Sequence, residues 1–97
     1  MPKGYWIAHV DVDDMETYKK YIEANAAPFA EYGARFLVRG GAGEQPEGKS
    51  RARTVVIEFD SYETALACYN SPGYQAAKAL RDPVSTGDLS ILPGYDG

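Results

Sequence analysis

His9, Glu58 and Arg39 are the residues of this chain whose types could do chemistry. His9 is the single histidine, and imidazole is the one side chain whose ordinary pKa lies near neutrality. A carboxylate beside it would orient the ring and favour its charged form, giving a general base for a dry cleft. Glu58, within the apolar run VVIEF, is the candidate partner. The alternative for His9 is a hydrogen bond across an interface. Arg39 precedes Gly40 and Gly41. A glycine pair lets backbone turn sharply near a ligand, and a guanidinium fork receives a carboxylate or enolate oxygen in two parallel bonds. The alternative for Arg39 is an ion pair with Glu47 or with a partner-chain acid. Arg53 and Glu47 flank the intervening loop as a candidate clamp. GGAG is not a phosphate loop, because no lysine–serine pair and no helix follow it.

Other groups are set aside on chemical grounds. Cys68 is the single cysteine, so neither an intrachain disulfide nor a cysteine-based zinc site can form, and one histidine excludes a multi-histidine metal site within one chain. No cofactor is expected; the helical segments hold no histidine for an axial haem ligand. Ser71 precedes a proline at the start of a helix and reads as a cap rather than a nucleophile. Tyr74 and Arg81 could bond each other or line a pocket. The formal charge of −4 lacks the basic face that nucleic acid requires. No segment has the length and apolarity of a membrane span, and the N-terminal residues do not read as a signal peptide, so a cytoplasmic protein is expected. The chain has eight tyrosines in 97 residues, an excess that suits pocket walls and interfaces.

Positioning these groups needs one small α+β domain over residues 1–97. GYWIAHVDV (4–12) alternates and is a strand. Asp13 and Glu16 have capping-box spacing, and Tyr18, Ile22, Asn25 and Phe29 share one helical face, with a kink or restart expected at Pro28 and a left-handed cap at Gly33. ARFLVRG (34–40) and ARTVVIEFD (52–60) are the second and third strands. Ser61 caps a second helix whose face is Tyr62, Ala65, Leu66 and Tyr69; it restarts at Ser71–Pro72. DLSILPG (88–94) is a short last strand. The order βαββαβ gives a ferredoxin-like, four-stranded antiparallel sheet in order 4-1-3-2, with both helices on one face.

That arrangement leaves one sheet face bare. Trp6, Ala8, Val10, Phe36, Val38, Val55, Ile57 and Phe59 are assigned to the helix side. Tyr5, Ile7, His9, Arg35, Leu37, Arg39, Thr54, Val56, Glu58 and Ile91 or Leu92 are assigned to the open side. This face is too apolar to be merely solvated, so a second copy is expected to cover it as a two-fold homodimer. Running strand one parallel to strand three brings His9 to Glu58 and Tyr5 to Thr54. Pairing the hairpin by its apolar sets places Arg35 opposite Glu58 and Arg39 opposite Thr54. The two arginines then share a face about 13 Å apart. The expected cleft has His9, Arg35 and Glu58 at one end, and Tyr5, Arg39 and Thr54 at the other.

YGARFLVRGG, the Glu47–Gly48 pair, Arg53, VVIEFDS, ALACYNSPGYQAAKALR and Gly94, in this order, resemble the pattern of the domain of unknown function 1330 family, over essentially the whole chain. The departures are Ala34, where the pattern more usually has a glycine, and Cys68, where it commonly has an aromatic residue. The resemblance implies a dimeric α+β barrel, in which two ferredoxin-like sheets pair face to face. It assigns no activity. The wider superfamily includes cofactor-free monooxygenases, lactone isomerases, haem-degrading enzymes and stress-response proteins, so a fold of this kind leaves the reaction open. Three expectations stand: a cofactor-independent enzyme using Arg39 for an oxyanion and His9–Glu58 for a proton; a non-catalytic binder of a small molecule or stress-associated dimer; or polar groups that only specify dimer register.

Overall fold

Helix α1, Met15–Glu31, begins at Asp14, whose side chain accepts the Thr17 N–H. The cap is therefore one residue later than the Asp13 expected from spacing. The Asp14 carboxylate also takes the Thr17 hydroxyl at 2.8 Å. The helix runs unbroken through Pro28, where an interruption was expected. It ends as anticipated at Gly33, φ +71°, where Ala34 N–H reaches Phe29 O and Gly33 N–H reaches Ala30 O. This paired closure satisfies two carbonyls that the helix leaves open.

The computed structural model describes residues 2–41 and 43–95; Ala42, within GGAG, lies outside them. The strands are β1 (Gly4–Val12), β2 (Arg35–Arg39), β3 (Arg53–Phe59) and β4 (Ser85–Pro93). Strand β4 is nine residues, longer than the expected 88–94 segment. The second helical segment is two helices, α2 (Tyr62–Asn70) and α3 (Pro72–Arg81), so the order is βαββααβ. Ser71 Oγ accepts the Tyr74 N–H at 3.2 Å and donates to Cys68 O at 2.7 Å, which closes one helix and opens the next.

The sheet order is β2-β3-β1-β4, as expected, and every pairing is antiparallel. This corrects the parallel pairing assigned to β1 and β3. The crossover through α1 makes β1 and β2 run the same way, and the reversal from β2 to β3 makes β3 oppose both. A second correction lies in β2. Its pairing with β3 shifts between Phe36 and Val38, a bulge that leaves Leu37 without an opposite residue. Beyond the bulge Val38 faces Val56 and Arg39 faces Val55. Because faces alternate by single residues, one extra residue inverts all that follows.

The helices pack on one sheet face around Trp6, which is 2% exposed. Its indole meets Phe29, Phe59, Tyr69 and Tyr74 with centroids 4.9–5.9 Å away, and its N–H donates to Ala65 O at 2.9 Å. Burying one such aromatic is worth a few kcal/mol. Cys68, where the family pattern commonly has an aromatic residue, is fully buried with its thiol 3.9 Å from Pro28 O.

Candidate functional site

On the open face the antiparallel register exchanges the partners expected for His9 and Tyr5. His9 lies opposite Thr54 and Tyr5 opposite Glu58. His9 Nδ1 is 3.1 Å from Thr54 Oγ1 and 3.0 Å from Ser50 Oγ. Tyr5 donates its hydroxyl to Glu58 Oε2 at 2.9 Å, and Arg35 Nε donates to Glu58 Oε1 at 2.9 Å. The His9–Glu58 dyad is therefore not formed: the two sit four positions apart along β3. The Tyr5 hydrogen bond, with Arg35 beside it, lowers the Glu58 pKa, while the same bond raises that of Tyr5. Arg35 opposes Glu58 as expected and also pairs with Asp60 at 3.0 Å. Leu37, Val38 and Leu92 on this face are 55%, 42% and 46% exposed. Ile91 instead packs against the core.

Arg39 is not on the open face. The bulge turns it to the helix side, where its guanidinium lies over the Phe36 ring, 4.1 Å from the centroid. There it borders a narrow cavity between the helices and the sheet, with a volume of about 70 Å³. The walls are aromatic: Trp6, Tyr18, Tyr21, Phe29, Phe36 and Tyr74. Three guanidiniums reach it, Arg39, Arg53 and Arg81. An apolar cleft with a few converging polar groups is the usual form of a small-molecule site.

Arg53 is the residue that sequence reasoning missed. Its Nε is buried and has no hydrogen-bond partner among the described residues. Neither Arg39 nor Arg53 forms an ion pair among them, so the expected bonds to Glu47 are not made. Gly40, at φ +74°, seats Arg53: a Cβ there would lie 2.7 Å from its Cζ. The signal was present in the alternation of β3, which puts Arg53 on the same face as Val55, Ile57 and Phe59.

The roof is a hydroxyl pair. Tyr21 and Tyr74 hydroxyls are 2.9 Å apart, and Arg81 Nη2 donates to the Tyr74 oxygen at 3.4 Å. Burial pushes the Tyr74 phenol far up, so it stays a protonated donor at neutral pH. Arg81 also sits over the Tyr21 ring, 5.5 Å from its centroid, and pairs with Asp82 at 3.2 Å. Asp88 borders the cavity, but Arg51 holds it at 3.1 Å and also bonds Asp11 at 2.9 Å.

The sites expected from sequence thus divide. His9, Tyr5, Thr54, Arg35 and Glu58 are together on the open face, and Arg39, Tyr74 and Arg81 line the cavity on the other. No group of three or more histidine, cysteine or acidic residues among the described residues is arranged to hold a metal ion. No helix among them is long and apolar enough to cross a membrane.

Residues 3–95 match the family described as Domain of unknown function (DUF1330). No curated protein matches the chain. Among solved structures, a protein of unknown function from Rhodopseudomonas palustris aligns with TM-score 0.77 and 14% identity, over 99% of this chain and 85% of that one. SnoaB, a cofactor-independent oxygenase from Streptomyces nogalater, aligns with TM-score 0.68 and 14% identity, over 100% and 97%. A dimeric protein of unknown function with a ferredoxin-like fold, from Bacteroides fragilis, aligns with TM-score 0.63 and 14% identity, over 94% and 95%. At such identities the likeness establishes the ferredoxin-like fold.

Proposed function

This chain belongs to the DUF1330 family, and we propose that it binds a small, flat organic anion in the cavity between its helices and its sheet. The observation that carries the reading is Arg53, whose Nε is buried without a hydrogen-bond partner among the described residues, in a cleft walled mainly by aromatic and aliphatic side chains. A buried polar group without a partner is costly, and a ligand oxygen would complete it. Arg39 adds a second guanidinium that no acid among the described residues neutralises. Such groups stabilise an enolate or phenolate, the oxyanion half of a reaction that needs no cofactor. The likeness to an oxygenase described as cofactor-independent supports an enzyme of that kind.

A second reading, a binder without turnover, is favoured by the separation of the proton-transfer candidates from the cavity. His9 and Glu58 are absent from its lining. We propose that they, with Tyr5, Thr54 and Arg35, fix the register of a homodimer whose second copy covers Leu37, Val38 and Leu92, an interface of about 1,000 Å² or more.

Trp6, the single tryptophan, lines the cavity and reports occupancy by its fluorescence. Aromatic and enolisable carboxylates are titrated against native protein and Arg53→Gln, with mass spectrometry of the recovered ligand. The expected result is saturable quenching that weakens at least about ten-fold in Arg53→Gln, the loss of one charge-assisted bond. Quenching indifferent to Arg53 would overturn the cavity assignment. A chemically changed ligand selects the enzyme, and an unchanged one the binder.

A further inference from the structure

The cavity offers its cations from two layers. Arg39 and Arg53 rise from β2 and β3 in the sheet, whereas Arg81 comes from the end of α3, beside the Tyr21 and Tyr74 hydroxyls. Resting on the anion-binding reading above, we infer that the ligand is an acid with a second acidic oxygen, a hydroxyaryl or enolic carboxylate. Its carboxylate pairs with Arg39 and Arg53, and its phenol or enol oxygen lies under Arg81 as the anion.

Three observations carry this. Among the described residues, the lining holds three guanidiniums and one carboxylate, Asp88, which Arg51 already engages. A single carboxylate can accept from two sheet arginines, which leaves Arg81 for another oxygen. The surface partner of Arg81, Asp82, is 49% exposed at its side chain, so water screens that pair. The hydroxyls beside Arg81 form a chain that ends on a protonated, buried Tyr74. A phenol or enol placed there gains donors and a positive charge, both of which favour its ionised form. The balance is simple: the ligand O–H gives its proton to bulk water through the open mouth, and no other bond changes.

The probe is 4-hydroxy-3-nitrobenzoate, whose phenolate absorbs visible light. The controls are 3-nitrobenzoate, which lacks the phenol, and 2-nitrophenol, which lacks the carboxylate. Binding is read by quenching of Trp6, and phenol ionisation by the absorbance of the bound probe against pH. We expect the hydroxy acid to bind at least about ten-fold tighter than either control. We expect its phenol pKa to fall on binding by about one unit or more. Arg81→Gln should abolish that fall and weaken 3-nitrobenzoate less than Arg53→Gln does, and Arg81→Lys should restore part of the fall. An unchanged or raised phenol pKa, or a fall that survives in Arg81→Gln, overturns the inference while leaving the anion-binding reading intact if 3-nitrobenzoate still depends on Arg53. Failure of all three compounds to quench Trp6 overturns both.

Discussion

Arg35 and Arg39, four residues apart on one strand, stand on opposite faces of the sheet. Arg35 pairs with Glu58 on the open face, and Arg39 lies against Phe36 on the helix face. Regular alternation would put them together. The unpaired Leu37 between them makes the difference. One inserted residue thus moves a guanidinium from the open face to the rim of the aromatic-walled cavity on the helix face.

Gly40 separates backbone strain from the seating of Arg53. Gly40→Ala forces a side chain to φ +74° and against the Arg53 guanidinium. It should cost about 1–3 kcal/mol in urea unfolding and weaken carboxylate binding at Trp6. Gly33→Ala, at φ +71° with open space around it, should cost about 1 kcal/mol and leave binding unchanged. Equal binding losses in both variants would refute the seating role.

Glu58 should give the chain an acid-sensitive limb. Its folded pKa lies below the ordinary 4.5, held there by the Tyr5 hydrogen bond and by Arg35. The unfolded chain therefore takes up a proton first. The stabilisation is complete above the ordinary carboxylate pKa and is lost as pH falls through the lower folded value. Tyr5 has the opposite sign: its raised pKa gives stability present below 10.0 that disappears as pH rises through the folded value. Urea midpoints from about pH 6 to about pH 2.5 should fall less steeply in Glu58→Gln than in the native chain. Parallel curves would exclude this ion-pair contribution.

The open face predicts a dimer. Native protein should sediment at twice the 10.6 kDa chain mass at micromolar concentration. Val38→Lys with Leu92→Lys should give the single mass, because two charges would be buried without partners. Retention of the dimer by that double variant would place the interface elsewhere.

Cys68 should be silent in the folded chain. Burial removes it from solvent and pushes its thiol up to about 12, so almost no thiolate is present at neutral pH. An aromatic disulfide reagent should react only as urea unfolds the protein, with the same midpoint as loss of Trp6 signal. Rapid reaction without denaturant would contradict the packing described.

The elements of the fold could be read along the chain because their causes are local. Alternation marks β1 and β3, Gly33 marks the end of α1, and Ser71–Pro72 marks the restart before α3. Apolar residues on both sheet faces mark a side that helices alone do not cover. Arg53 was also readable, since it shares its face with Val55, Ile57 and Phe59.

The site depended on relations between distant segments. His9 and Glu58 are each ordinary strand residues, and only the direction of β1 against β3 decides that His9 meets Thr54 while Tyr5 meets Glu58. RFLVR carries no glycine or proline to announce a bulge; the pairing of β2 with β3 creates it. The residue types and their approximate elements were determined by the sequence itself. Which of them share a cavity was decided by strand direction and by one shift in pairing, both set by contacts between segments far apart in the chain.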